Sequence, residues 1–363
     1  MNKKTVLLGL SGGVDSAVAA MILKKKGYQV IGAFIKSFSE TKDKVTGACS
    51  WREEYKEARK IAALLNIPLK LFDFEKEYQK LVVGPMISAY RRGITPNPDI
   101  VCNTRIKFPL LWKAAQKLKI EFIATGHHAR IKKTKRGYEL HQGIDRNKDQ
   151  SYFLAELSQK ELSHTLMPIG GLTKEMVRKI AEKNKFPNFN RQSSRGVCFI
   201  GNIPLKSFLE TRIKPKKGVV RDENNQIIGT HRGAQYYTLG ERVRPTTGII
   251  VTKGALSQKR FFVARKNMRT NTIIVVPEHH RLLKKDDFLI KGVHWINEQE
   301  KTKHLRANVR IRHLGSFTPA TLIKKAHHWQ VRTKTPLEGA APGQSTVFYQ
   351  GTRLICSGEI TSN

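Results

Sequence analysis

Acidic residues are scarce in this chain: 29 Asp and Glu stand against 66 Lys and Arg, a formal net charge of +37 at pH 7. The physical counterpart of such an excess is a polyanion, because a basic surface that neutralises phosphates releases their condensed counterions. A lysine-biased genome would give the same excess without a binding surface, so charge alone leaves nucleic acid an open expectation. Cysteine is scarce too. Cys49, Cys102, Cys198 and Cys356 lie far apart with no C-x-x-C or C-x-H pairing, which argues against a zinc knuckle or structural zinc site. A structural disulfide is equally disfavoured in a reducing compartment. Long apolar runs are missing, so no transmembrane segment and no membrane partner are expected. Met1-Asn2-Lys3-Lys4 leads into an apolar run and a glycine-rich motif rather than a targeting signal, and the expected location is cytoplasmic. What remains is an ordinary globular composition over 363 residues, 39% of them hydrophobic, enough for two or three cores.

The first part of the chain alternates strand and helix. Thr5 to Leu10 is a buried-strand run, Ala17 to Lys26 a helix ended by Gly27, and Tyr28 to Ile35 the next strand. Glu53 to Leu65 and Tyr78 to Tyr90 carry helical periodicity on either side of a strand at Leu69 to Phe74. A Pro/Asn-rich loop, Thr95 to Asp99, precedes a helix from Arg105 to Leu118 and a short strand at Glu121 to Thr125. This rhythm predicts an α/β domain with a doubly wound parallel sheet over 1–204. Beyond about residue 205 short alternating runs replace helices, as at Thr272 to Val276 and Ser345 to Tyr349. They predict two small β-rich domains, a central one over 205–280 and a C-terminal barrel over 281–363.

Between the first strand and first helix lies Gly9-Leu10-Ser11-Gly12-Gly13-Val14-Asp15-Ser16. Glycines there let backbone N–H groups approach an oxyanion, and the helix N-terminus adds partial positive charge. Ser11 and Ser16 offer hydroxyl donors, and Asp15 can hold Mg²⁺ directly or through water. The loop lacks the lysine of a Walker A motif and is not G-x-G-x-x-G. It resembles the S-G-G-x-D-S loop of the pyrophosphatase-type (PP-loop) ATPases, which cleave ATP between the α and β phosphates. Ile35, closing the second strand, and Gly126, following the strand at Glu121 to Thr125, are expected to complete an ATP pocket at the carboxyl edge of the sheet.

Further motifs widen the resemblance. Asn97-Pro98-Asp99-Ile100-Val101-Cys102-Asn103, Ala124-Thr125-Gly126-His127, Lys148-Asp149-Gln150-Ser151-Tyr152-Phe153-Leu154, Gly196-Val197-Cys198-Phe199-Ile200-Gly201 and Ala341-Pro342-Gly343-Gln344 follow in order along nearly the whole chain. With the glycine-rich loop, they closely resemble the bacterial tRNA-specific 2-thiouridylases. That resemblance implies ATP-dependent 2-thiolation of a tRNA wobble uridine, with adenylation at O2 and sulfur delivered from a persulfide. It implies that Cys198 carries sulfur received from a cysteine desulfurase or sulfur-relay protein, and that Cys102 opens the persulfide and closes a Cys102–Cys198 disulfide. Asp99 would act as general acid/base. Asn97, Pro98, Asp99, His127, Lys148, Asp149, Gln150, Arg312, His313 and Gln344 would contact tRNA.

The pattern has departures. Gln192-Ser193-Ser194-Arg195 stands where the family carries Lys-Asp-Ser-Thr, and Gly240-Glu241-Arg242-Val243-Arg244-Pro245 replaces a glycine-rich stretch. Two other readings stay open on the residues alone: another PP-loop adenylating enzyme, and a tRNA-binding protein whose catalysis has decayed.

Overall fold

A computed structural model describes residues 3–39, 50–191, 203–251 and 260–361. Strand β1 (Thr5–Gly9) feeds the glycine-rich loop and helix α1 (Val14–Lys25). Asp15 lies in the first turn of α1 and Lys24 and Lys25 in its last, the order that suits the helix dipole. β2 (Gln29–Lys36), α2 (Ser50–Leu64) and β3 (Leu69–Asp73) follow. Two helical runs come next. The first joins α3 (Glu75–Tyr78) to α4 (Gly84–Arg91) through a π-helical turn at Gln79–Val83. The second joins α5 (Pro98–Val101) to α6 (Phe108–Lys117) through a π-helical turn at Cys102–Lys107. Helix therefore begins at Pro98, not Arg105. Asn97 caps it by accepting from Ile100 N at 3.2 Å, and Pro98 fills the first turn, where its missing N–H costs nothing.

β4 (Phe122–Ala124), the hairpin β5 (Ala129–Thr134) and β6 (Gly137–Gln142), α7 (Gln159–Ser163), β7 (Thr165–Leu166) and α8 (Lys174–Lys183) complete this part. The parallel sheet runs β3-β2-β1-β4-β7, so strand order reverses between β1 and β4. Ligands collect at the carboxyl ends of strands flanking such a reversal. One face of the sheet packs α1, α2 and α8 through Val18, Ile61 and Val177. The other packs α6 and, unexpectedly, side chains of the distant C-terminal segment, among them Val347, Tyr349 and Leu354.

After α9 (Leu205–Glu210), a five-stranded sheet comprises β8 (Gly218–Arg221), β9 (Ile227–His231), β10 (Ile249–Val251), β11 (Phe261–Asn267) and β12 (Thr272–Pro277), ordered β10-β9-β8-β12-β11. Its core is continuous with the 75–107 helical region, where Tyr78, Met86, Tyr90 and Cys102 meet Phe208, Val220 and Tyr236. The last six strands are β13 (Lys284–Trp295), β14 (His304–Arg310), β15 (Thr318–Lys324), β16 (Trp329–Glu338), β17 (Ser345–Gln350) and β18 (Arg353–Ile360). Pairing of β13 with both β16 and β18 closes them into a barrel, with the start of β18 left outside the β13 pairing. The hairpin β5–β6 joins this sheet where Leu140 pairs with Leu354, so the N-terminal part lends two strands to the barrel.

Candidate nucleotide and RNA site

The glycine-rich loop is ordered by its own hydroxyls. Ser16 Oγ donates to Gly13 O at 2.9 Å and accepts from Ser11 N at 3.2 Å, and Ser11 Oγ accepts from Gly13 N at 3.4 Å. Leu10 and Val14 point into the core and anchor the loop. Gly12 has φ +75°, and a Cβ there would lie 2.5 Å from Glu54 O on α2. Gly126 lies across the reversal point against the same loop; a Cβ on it would lie 2.7 Å from Ser16 N. Both positions therefore require glycine for close backbone approach. Ile35, at the end of β2, is half-buried and packs toward the opposite face of the sheet.

Three residues around the loop carry no motif in the sequence. Lys174 Nζ donates to Asp15 Oδ1 and Oδ2 at 2.6 and 2.7 Å, and His128 Nε2 lies 3.3 Å from Oδ1. Asn188 Nδ2 donates to Gly12 O at 2.7 Å. Burial alone would raise the Asp15 carboxyl pKa. The hydrogen bond from His128 and the charge of Lys174 outweigh burial and hold it below the usual range. Both carboxylate oxygens are thus engaged by a lysine. Among the described residues no group of three His, Cys, Asp or Glu is placed to hold a metal ion. The described side chains do not form a Mg²⁺ site on their own, so Asp15 would hold Mg²⁺ only together with the phosphate oxygens of a nucleotide. The loop N–H groups, hydroxyls and helix terminus do fit a triphosphate.

A second cluster lies where the three parts meet. Thr95 N donates to Pro342 O at 3.2 Å and Thr95 Oγ1 sits 3.0 Å from Thr238 Oγ1, so the segment before Asn97 touches both β units. Asp149 is fully buried and accepts from Gln142 Nε2 at 2.9 Å, Ser151 N at 3.0 Å and both Arg310 Nη atoms at 3.2 Å. Tyr152 OH donates to Ile311 O and Ser345 O at 3.1 and 2.8 Å. His313 Nε2 lies 2.8 Å from Asp149 O, and its ring packs on Phe153 with centroids 4.3 Å apart. Gln150 ties this cluster to the loop, exchanging backbone and side-chain hydrogen bonds with His128 at 3.0 and 2.9 Å.

The expected RNA contacts therefore divide. Lys148 and Arg312 are exposed, and Asn97, Pro98, Asp99, Gln150, His313 and Gln344 are half-buried around the junction. Asp149 and His127 are interior. His127 Nδ1 pairs with Thr125 Oγ1 at 2.8 Å, and burial lowers its pKa well below the ordinary histidine value, so it is neutral. Arg312 also works within the protein, with Nη2 donating to Gly339 O at 3.2 Å and Leu239 O at 3.4 Å.

Cys102 sits one helical turn after Asp99 on the α5–α6 run rather than in a loop, only 9% exposed. Burial raises its thiol pKa; the Lys107 charge and a Tyr78 hydrogen bond oppose this without overcoming it, and the Asp99 charge reinforces it. Cys356 is also a buried free cysteine, inside the barrel. Cys49, Cys198 and the altered 192–195 segment lie outside the described residues.

Comparison with known proteins accounts for all three parts. Residues 4–202 match the family described as tRNA methyl transferase HUP domain, 206–277 its PRC-barrel domain, and 285–360 an aminomethyltransferase β-barrel domain. The tRNA-specific 2-thiouridylase MnmA of Nitrosomonas eutropha is 38% identical over 365 residues, covering 100% of both chains. That of Enterococcus faecalis is also 38% identical, covering 99% of this chain and 96% of its own. Among solved structures, the U34-tRNA thiolase NcsA of Methanococcus maripaludis is a loose likeness, with TM-score 0.35 and 17% identity over 59% of this chain and 67% of its own. Aligned end to end with relatives of that name, the chain belongs to the family of tRNA-specific 2-thiouridylases.

Proposed function

We infer that this chain is an ATP-dependent tRNA-uridine 2-sulfurtransferase. The observation that carries the reading is a connected set of contacts: hydrogen bonds run from Asp15 to His128 and from His128 to Gln150, and Asp149, the chain neighbour of Gln150, bonds in turn to Arg310 and His313. It couples a phosphate-binding loop to a junction bordered by the exposed cations Lys148 and Arg312, which suit RNA phosphates. The half-buried amides of Asn97 and Gln344 suit base edges. Asp149 serves by holding the junction in place, and His127 by pairing with Thr125 and stacking on Phe108 inside the α/β part.

In this reading Gly9 to Ser16 receive the triphosphate, Gly126 packs against the same loop, and Ile35 at the end of β2 lies on the adenine side of the pocket. The wobble uridine O2 attacks the α-phosphorus, pyrophosphate departs, and the oxygen becomes a good leaving group. The outer sulfur of a persulfide on Cys198, loaded by a cysteine desulfurase or sulfur-relay protein, attacks C2 and AMP departs. Cys102 thiolate then attacks Cys198 Sγ. The sulfur bound to C2 keeps the electron pair of the broken S–S bond, and a Cys102–Cys198 disulfide remains for a reductant to reopen. Asp99, at the start of the same helix as Cys102, moves the proton at the uracil. Mg²⁺ would accompany the triphosphate; with no protein-held site among the described residues, no step is assigned to it.

We assign segment 1–204 to catalysis, 205–280 to bridging and 281–363 to tRNA, with β5–β6 shared. No helix among the described residues is long and apolar enough to cross a membrane, and the activity is assigned to the cytoplasm. Nucleoside analysis of bulk tRNA from cells with and without this gene tests the reading. Loss of 2-thiouridine derivatives is expected on deletion, and an unchanged profile would end the proposal.

A further inference from the structure

Lys174 occupies the first position of α8, behind the Thr173 N-cap. A cation is electrostatically misplaced at that end of a helix, where the exposed N–H groups already carry partial positive charge. It is also misplaced by burial, since its side chain is 8% exposed. A buried ammonium needs a partner, and the one it has is Asp15, reached across 159 residues of sequence inside the phosphate loop. Its own N–H donates to Asp145 Oδ2 at 2.9 Å, which fixes the start of the helix. Packing of Val177 and Ala181 in the same core as Val14 and Ala17 fixes the helix beside α1. Two unfavourable placements of one lysine are thus maintained by a rigid frame, and the frame aims it at the loop.

An anion entering that loop meets a difficulty. The loop N–H groups favour it, but the Asp15 carboxylate stands among them. Lys174 and His128 are the side chains that contact this carboxylate among the described residues. Of these, the lysine has the flexible stem needed to turn from a carboxylate to a neighbouring phosphate without backbone movement.

We propose that Lys174 is a ligand of the β- and γ-phosphates of ATP, exchanging Asp15 for them as the nucleotide enters. The proposal rests on the reading that Gly9 to Ser16 bind ATP. In place at the phosphates, the ammonium lies where negative charge accumulates as pyrophosphate separates, and that is where a fixed cation accelerates the step.

Calorimetric titration of the full-length protein with ATP, AMP and pyrophosphate tests this. Lys174→Met is expected to weaken ATP and pyrophosphate at least tenfold while AMP stays within twofold, and Lys174→Arg is expected to restore most of the loss. Unchanged ATP affinity in a folded Lys174→Met protein overturns the proposal, as does an equal loss for AMP, which would mark general damage to the site. Wild-type protein that binds neither ATP nor AMP overturns the reading of the loop itself, and this proposal with it. Should Lys174→Met not fold, a crystal structure of the wild-type protein with α,β-methylene-ATP decides. Lys174 Nζ within hydrogen-bond reach of a β or γ oxygen supports the assignment, and Nζ still bridging both Asp15 oxygens refutes it.

Discussion

Asp149 and Arg310 form an ion pair from which water is almost excluded, with side chains 0% and 3% exposed. The pair joins the K-D-Q-S-Y-F segment to the end of β14, and Arg310 stacks over Phe317 and Tyr349 at 4.3 and 5.3 Å from their ring centroids. The carboxylate also satisfies Gln142, Gly143 and Ser151. Such a group organises the interface between the α/β part and the barrel and is not offered to a ligand.

Removing one member of a buried pair strands the other charge at a cost of about 3–5 kcal/mol, whereas replacing both by apolar groups is often neutral. Asp149→Ala should therefore lower stability by about that amount in urea titrations, and Asp149→Leu combined with Arg310→Met should recover much of it. A direct contact between the Asp149 carboxylate and RNA predicts the opposite pattern: tRNA affinity lost in Asp149→Asn with stability unchanged.

The parts of this structure legible in the sequence are those whose causes are local. β1, the glycine-rich loop and α1 occur where the apolar run, the glycines and the helical period place them. The start of the α5–α6 helix is local too, but the Asn97 cap and Pro98 pull against the loop-like look of a Pro-Asn-Pro-Asp stretch, so the periodicity alone places the helix start at Arg105 rather than Pro98. What was not legible depends on partners far along the chain. Nothing near Leu140 signals that β6 will pair with β18, because edge pairing is decided by the distant strand. The same holds for Arg310, whose partner lies 161 residues away. Lys174 did leave a trace: a lysine directly after a threonine cap opposes the helix dipole and calls for an explanation.

Arg312 couples the central sheet to the barrel through two glycines. Gly240 and Gly339 have φ +76° and +74°, and a Cβ on Gly339 would run into Arg312 Nη2. Gly339→Ala adds both left-handed backbone strain, about 1–3 kcal/mol, and displacement of the guanidinium from the Leu239 and Gly339 carbonyls. Hydrogen exchange at Gly240 and neighbouring amides should accelerate in Gly339→Ala and in Arg312→Ala alike. If exchange there is unchanged in both, the arginine does not hold the two β units together.

The burial of Cys102 makes a prediction about pH. Desolvation penalises the thiolate and not the thiol, so the folded pKa lies above the usual cysteine value. Alkylation requires the thiolate; raising the pKa therefore shifts the pH at which iodoacetamide reacts to higher values, and limited access slows it further. At pH 8 the folded protein should label Cys102 at least tenfold more slowly than the unfolded chain in denaturant, with the rate still rising above pH 9. Cys356, held inside the barrel where burial again pushes the thiol up, should be slower still and serves as the internal standard for a fully buried thiol. Peptide mass spectrometry separates the two sites. The Tyr78 hydrogen bond and the Lys107 charge favour the thiolate, so Tyr78→Phe and Lys107→Met should each retard labelling of Cys102 while leaving Cys356 unchanged. Cys102 labelled at the unfolded-chain rate at pH 8 would mean that the thiol is exposed in solution, and its burial against Tyr78 and Phe208 would not describe the working protein.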